Sequence, residues 1–477
     1  MAGTQNIFPD APVDVVIMAA GKGTRMKSKL PKVLHRLAGR ALVQHVVDTA
    51  AELHARQVTV ITGHGATEVE AALAGNTGAR GRFDLNFVRQ EPQLGTGHAV
   101  QQTVPVLRDD GIVVVLSGDV PLTQADTLTQ LITACAGNKL ALLTIDFANP
   151  TGYGRIVRAG DKVQAIVEQK DAAPEQLKIT EVYSGIMAVP AVQLKNWLAR
   201  LDNKNAQGEF YLTDVVKFAV ADGVPVVAHK IRDAVQVAGV NSPVQLAELE
   251  RAYQQRVALQ LMEQGGRLAD PARLDVRGTL SCAMDVSIDV NCVFEGQVSL
   301  GEGVCVGPNC FIKNVSIDAG AVIHPFTHIE GGAPGSKDAI EVGAGALIGP
   351  FARLRPGARL GAEVHIGNFV EVKNSTLAKG AKANHLAYLG DATVGERVNY
   401  GAGSITANYD GANKHRTVIE ADVHIGSNCV LIAPLTIGAG GTVGGGSTLT
   451  KDTPPVSLTV ARARQVSIAN WKRPSKK

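Results

Sequence analysis

Aromatic residues make up only 4% of the 477 positions, and no apolar run reaches the roughly 18 residues that a membrane-spanning helix needs. That excludes a helical membrane protein. Charge of one sign is also lacking: 47 Lys and Arg face 44 Asp and Glu, a formal net charge of +3. So even a balance argues against nucleic acid or a membrane surface as the partner, and leaves room for a small polyanion. The six cysteines, Cys135, Cys282, Cys292, Cys305, Cys310 and Cys429, form neither Cys-x-x-Cys pairs nor a Cys/His zinc spacing. A reduced, structural role follows for them. The opening MAGTQNIFPDAPVDVVIM has no basic segment followed by a long apolar run, so the expected location is the cytoplasm.

The stretch MAAGKGTRMKSKLPKVLH, Met18 to His35, has two close glycines and a scatter of cations, yet the nucleotide-loop patterns G-x-G-x-x-G and G-x-x-x-x-G-K-[ST] are both absent. On spacing alone its Gly-x-Gly reads as a tight turn or as a loop that approaches phosphate. From Val13 to about Asp146, β-rich runs alternate with helix-like stretches, DVVIMAA, ALVQHVVDTAAEL, QVTVIT, GIVVVLSGD and LALLTID. This predicts an α/β sheet with mostly parallel strands, whose ligands sit at the carboxyl ends of strands. Met18 to Arg25 and Gly118-Asp119 both follow strands and would face one crevice. Leu246, Leu249, Tyr253, Val257 and Leu261 fall at near-helical spacing and predict a connecting helix.

Glycine, at 51 residues, is abundant, and a glycine-rich apolar chain invites a search for repeats. Beyond the helix the period is six. Apolar residues recur at Ile288, Phe294, Leu300, Val306 and Ile312; at Val342, Ile348, Leu354, Leu360, Ile366 and Val372; and at Ile425, Leu431, Ile437, Val443 and Leu449. Small residues stand two before many rungs: Cys292, Cys310, Ala346, Ala352, Ala358 and Cys429. This is the signature of a parallel β-helix, and it explains several cysteines as core residues. The ladder reads as interrupted between Ile312 and Val342 and between Val372 and Ile425, and insertions in a solenoid become loops.

MAAGKGTRMKSKLPKVLH, QEPQLGTGHA, GDVPL, GYGRI, AIVEQKD and VAGVN, in this order ahead of hexapeptide repeats, resemble the bacterial bifunctional N-acetylglucosamine-1-phosphate uridyltransferases and glucosamine-1-phosphate N-acetyltransferases over nearly the whole chain. The resemblance implies a Rossmann-like, GT-A-like nucleotidyltransferase domain over 1–241, a helical linker over 242–265, and a left-handed β-helix acetyltransferase domain with a C-terminal tail over 266–477. It implies a cytoplasmic homotrimer with no nucleic acid or membrane partner, supplying peptidoglycan and lipopolysaccharide precursors.

For the first site, the resemblance implies that Ala20, Gly21, Gly23, Arg25, Lys32, Gln90, Gly95 and Thr96 hold UTP. Gly154, Glu168 and Asn241 would meet N-acetylglucosamine 1-phosphate, and Asp119 with Asn241 would bind Mg²⁺, a hard ion suited to oxygen donors. Arg25 and Lys32 would act on the reacting phosphates. Asp119 taken alone reads equally as a turn residue, and Glu168 as a solvated strand residue. Two positions depart from the family pattern: Tyr183 stands where asparagine is common, and Ser117 where an aromatic is.

For the second site, AKANHLAYLGDATVGERVNYGAGSITANYDGANKHRT matches the family's acetyltransferase segment and offers His385 as base, histidine having the right unperturbed pKa. Arg355, Lys373, Tyr388 and Asn399 would hold glucosamine 1-phosphate. Asn408, Tyr409, Ser427, Gly445 and Arg462 would line the acetyl-CoA site, with Lys414 nearby in sequence. His324, His328, His365, His415 and His424 read as ordinary surface or hydrogen-bonding residues, and the basic end NWKRPSKK as a solvated tail. The competing readings are a single-activity sugar nucleotidyltransferase with a structural β-helix, and a non-catalytic scaffold. Substituting His385 separates the first of these from the bifunctional reading.

Overall fold

The computed structural model describes residues 11–74 and 83–474; the first ten residues of the opening segment and the last three of NWKRPSKK lie outside the described residues. The chain forms two units, Met1–Tyr253 and Gln254–Lys477.

In the first unit the described residues form a nine-stranded sheet of β1 (Val13–Met18), β2 (Gln57–Thr62), β3 (Asp84–Arg89), β4 (Ile112–Ser117), β5 (Leu140–Asp146), β6 (Arg155–Ala159), β7 (Lys162–Val167), β8 (Glu181–Pro190) and β9 (Val226–Ile231). Its order is β9-β5-β8-β4-β1-β2-β3, parallel except at β8, with β6 and β7 as a hairpin hung on β8. The apolar runs are continuous because both faces are covered. Val15, Ile17, Val58, Val60, Val114 and Leu116 feed one buried cluster, while the alternate residues Val16, Ile61, Val113 and Val115 feed the other. Register pairs Met18 with both Ile61 and Ser117, so the loops leaving β1, β2 and β4 emerge side by side at the carboxyl edge.

The second unit is a left-handed parallel β-helix. Its strands stack in parallel register from coil to coil, in an 11-stranded and a 16-stranded sheet among the described residues. Every rung of the three ladders is buried, and so are Cys292, Cys310, Ala346, Ala352, Ala358 and Cys429 at the corners. Each buried aliphatic rung contributes about 1.5–3 kcal/mol, and stacking makes the sum continuous along the axis.

The expected interruptions need correction. Ile317, Ile323 and Ile329 continue the rungs in the first gap, and Leu377, Ala383, Leu389, Val394, Tyr400 and Thr406 continue them in the second, all buried. The steps Ile312–Ile317, Val372–Leu377 and Leu389–Val394 span five residues and drop the phase, while alanine, tyrosine and threonine carry no aliphatic signal. What leaves the coil is a short loop over 331–339 and another over 408–415.

The helix Pro243–Glu263 contains Leu249, which packs with Leu42 and Val240 in the first unit, and Ala258 and Leu261, which belong to the β-helix core.

Candidate functional sites

At the carboxyl edge of the first sheet lies a cleft of about 1000 Å³, lined by Ala20, Gly21, Gly23, Lys32, Gln90, Gly95, Thr96, Ser117 and Asp119 among others. Gly23 has φ of 60°, and a Cβ there would lie 2.6 Å from Lys32 Cβ, so only glycine lets the lysine stem cross the loop. Lys32 Nζ thereby reaches Asp119 Oδ2 and, at 3.1 Å, Asn241 Oδ1. The Val240 N–H donates to the Asp119 carbonyl at 2.9 Å, fixing the two oxygen donors side by side. A carboxylate and an amide oxygen converging on one cation form a donor set that fits Mg²⁺, which completes its shell with phosphates and water.

Gly95 is equally constrained, since its missing Cβ would fall 2.6 Å from the Phe210 carbonyl oxygen. Buried Gln90 donates to the Gly95 carbonyl at 2.9 Å, leaving its amide oxygen for a ligand, whereas the Thr96 hydroxyl accepts from Leu212 N–H and is partly spent on structure. Gln93, passed over by sequence reasoning, donates to the Ala20 carbonyl and pins the loop. Arg25 is exposed on the turn Thr24–Met26 and is not among the residues lining the cleft.

Glu168 lines a second cavity of about 350 Å³ with Asp171, Tyr211 and Thr213. Burial holds its carboxyl above the usual range, against the Thr213 hydroxyl, which donates to it at 2.9 Å. Gly154 stands beside this carboxylate, and its carbonyl accepts from the Tyr183 N–H. Tyr183 is buried with its hydroxyl unpartnered, and burial together with the Glu168 charge raises its pKa well above normal.

On the β-helix, stacking assembles residues that are 16 to 25 apart in sequence. Lys373 pairs in register with Gly390, and Arg355 N–H donates to the Val372 carbonyl one coil away. A Cβ on Gly390 would lie 2.3 Å from Tyr388 Oη, so the glycine leaves the space that the tyrosine ring fills. Lys414 reaches Lys373 from the loop 408–415, and Lys414, burial and Arg355 together lower the Lys373 pKa. Arg355, whose guanidinium donates to the Glu371 carboxylate at 2.7 Å, thus lies with Lys373 and Lys414 on the edge that carries Tyr388, a set of cations suited to a phosphate. Lys414 was not marked as a ligand from sequence because it lies 41 positions from Lys373.

His385 stands on another edge. Asn368 pairs with it in register, and Asn368 Oδ1 lies 2.8 Å from His385 Nδ1. An Nδ1–H donor there leaves Nε2 open as a base. The positions two beyond Ala383, Tyr400, Ile425 and Val443, whose strands pair in turn, are His385, Ala402, Ser427 and Gly445, one column along this edge. At about 4.8 Å per strand, Gly445 lies about 14 Å from His385 along the axis. Arg462 donates to the Gly445 carbonyl at 2.7 Å. Ala402, missed from sequence because alanine carries no chemical signal, falls between His385 and Ser427. Asn399 points outward on the neighbouring face with Lys382 and His424, while Tyr409 is exposed on the loop and Asn408 is buried at its base. Of the other histidines, His328 stacks on Phe311 and His415 pairs with Asp410 at 2.6 Å.

Among the described residues no helix is long and apolar enough to cross a membrane, and no group of three or more His, Cys, Asp or Glu could hold a metal. Residues 15–176 match the MobA-like NTP transferase domain. The chain is 85% identical to the bifunctional protein GlmU of Albidiferax ferrireducens, covering 97% of this chain and 100% of that protein. It is 74% identical to the protein of that name from Polaromonas naphthalenivorans, covering 98% of each. For the one from Janthinobacterium sp. the identity is 55%, over 97% of this chain and 99% of that protein.

Proposed function

The chain belongs to the bifunctional GlmU family, an N-acetyltransferase and uridylyltransferase of UDP-N-acetylglucosamine synthesis, and from that premise we propose how its two sites divide the work. Acetyl transfer from acetyl-CoA to glucosamine 1-phosphate runs on the β-helix, and uridylyl transfer from UTP to the acetylated product runs in the first cleft.

In the β-helix site Arg355, Lys373 and Lys414 hold the sugar phosphate, with Tyr388 against the sugar and Asn399 contributing from the adjoining face. His385 Nε2 takes the proton of the amine as its nitrogen attacks the thioester carbonyl; the C–N bond forms, the C–S bond breaks, and the His385 imidazolium returns that proton to the departing sulfur, so that coenzyme A leaves as the thiol. Asn408, Tyr409, Ser427, Gly445 and Arg462 line the coenzyme, which the column from His385 to Gly445 is long enough to support. In the first cleft, the backbone from Ala20 to Gly23 and Lys32 receive the triphosphate, with Arg25 reaching it from the exposed turn beyond the lining residue Thr24, and Gln90, Gly95 and Thr96 receive the uracil. The sugar phosphate oxygen, already ionised, attacks the α-phosphorus in line and expels pyrophosphate, so no protein base is needed. Asp119 and Asn241 would hold Mg²⁺, which supplies charge neutralisation at the phosphates. Gly154, Glu168 and Asn241 receive the acetylated sugar phosphate.

We place the enzyme in the cytoplasm, where both cosubstrates are made, as a homotrimer. Support for assembly comes from Phe326, Phe351 and Phe369, which stack at 5.0 and 5.4 Å while 50%, 47% and 56% exposed, and lead to exposed Leu386 beside His385. Exposed apolar ladders of this kind mark interaction surfaces. Lys373 and His385 lie on different edges of one chain, so a facing copy would close the site.

The observation that carries the proposal is the presence, in one chain, of Lys32 on Asp119 and Asn241 at a sheet's carboxyl edge and of His385 on a β-helix edge. Product mass spectrometry with each of glucosamine 1-phosphate, acetyl-CoA, UTP and Mg²⁺ omitted in turn tests it. His385→Ala should lower acetylation by about 100-fold or more and spare uridylyl transfer, while chelation should stop uridylyl transfer alone. Survival of both activities in His385→Ala would remove the assigned base.

A further inference from the structure

The corner residues Asn374, Asp391 and Asn408 stand 17 positions apart in three successive coils. Asn374 Nδ2 donates to Asp391 Oδ1, and Asn408 Nδ2 donates to Oδ2 at 2.5 Å. Asp391 is 7% exposed and Asn408 9%. Asn374 and Asp391 both have positive φ, 45° and 50°, a conformation that Asn and Asp tolerate best among residues bearing a side chain. A buried carboxylate is costly unless its oxygens are satisfied, and an apolar residue would fill a coil corner more cheaply. The ladder therefore calls for a reason beyond folding.

Its neighbours supply one. The Asp391 N–H donates to the Lys373 carbonyl at 3.1 Å, and its own carbonyl accepts from Thr417 N–H just past the loop 408–415. Asn408 starts that loop, its carbonyl accepts from His415 N–H at 2.9 Å, and Tyr409 bridges Lys414 across it. One carboxylate thus ties the strand end that carries Lys373 to the base of the loop that carries Lys414. Resting on the reading of this edge as the glucosamine 1-phosphate site, we infer that Asp391 is a positioning residue for acetyl transfer: clasped by Asn374 and Asn408, it holds Lys373 and Lys414 at the spacing that receives one phosphate.

Steady-state kinetics of the full-length enzyme test this. Asp391→Ala should raise KM for glucosamine 1-phosphate at least tenfold while changing kcat less than threefold, with uridylyl transfer unaffected. Asp391→Asn should restore KM to within threefold, because an Asn408 amide can turn to meet the new NH₂ group. Asn374→Ala, at the exposed end of the ladder, should raise KM about threefold and serves if Asp391→Ala does not fold. A role confined to holding the coil would lower the active fraction, hence kcat, without moving KM. That result, or a KM within twofold of wild type in both Asp391→Ala and Asn374→Ala, overturns the inference. Lys373→Ala is run in parallel: an unchanged KM there overturns the reading of the site itself, whereas a raised KM there with unchanged ladder variants overturns only the role of Asp391.

Discussion

Replacing Gly23 by alanine tests whether the opening loop acts through Lys32. Gly23 has φ of 60°, where an L-residue costs about 1–2 kcal/mol. At about 2–4 °C per kcal/mol for a unit of this size, that cost alone lowers Tm by about 2–8 °C. The added Cβ would lie 2.6 Å from Lys32 Cβ, against about 3.5–4 Å for an ordinary carbon pair, so the lysine stem must retreat by about 1 Å. Lys32 Nζ would then leave Asp119 and Asn241, and a misplacement of about 1 Å typically costs about 100-fold in rate, or about 2.7 kcal/mol. Pyrophosphate release should fall by that factor, while coenzyme A release, read as free thiol from the same preparation, stays within about twofold of wild type. Gly21→Ala is the control: no heavy atom lies within 4 Å of its Cβ, so Tm should hold within about 1 °C. Its methyl group projects into the open cleft, so KM for UTP should still rise. Full uridylyl transfer in Gly23→Ala, or an equal loss of Tm in Gly21→Ala, would refute the coupling between loop and lysine.

Burial raises the Glu168 pKa, so the folded state binds its proton more tightly than the unfolded chain, and stability is lost as pH rises through the folded value. Glu168→Gln should therefore melt above wild type near neutral pH, with the advantage vanishing below about pH 4.5; an equal advantage at both pH values would refute this. Phe351→Asp places a charge between Phe326 and Phe369 in the exposed ladder, and burying it at a subunit contact would cost several kcal/mol. Sedimentation should shift toward the single-chain mass, with acetyl transfer lost and uridylyl transfer kept. An unchanged sedimentation coefficient would remove the ladder from the interface.

Much of the fold was legible because burial leaves a period. Apolar residues six apart stack along the axis of a β-helix, and each named rung from Ile288 to Leu449 is buried. Legibility ended where that signal did, at the five-residue step from Val372 to Leu377 and at Ala383, Tyr400 and Thr406. In the first site, Lys32, Asp119 and Asn241 were readable as cation and oxygen donors. Their convergence depended on Gly23 clearing the lysine stem, a relation between side chains that pattern does not carry. The same holds for Asn368, whose partnership with His385 exists only because one coil lies on the next.

What the sequence by itself determined is the order of the two units, the parallel α/β sheet, the six-residue coil and the chemical types of the candidate site residues. These are written locally, since strand alternation and coil period are set by residues a few positions apart. Only the tertiary structure decided which of those residues meet. Arg355, Lys373, Tyr388 and Lys414 gather on one edge, while His385, Ala402, Ser427 and Gly445 align along another. Neighbours in a solenoid are one coil apart in space and 16 to 25 residues apart in the chain, and the count varies with every short step and every loop. The register that fixes them comes from stacking the whole core at once.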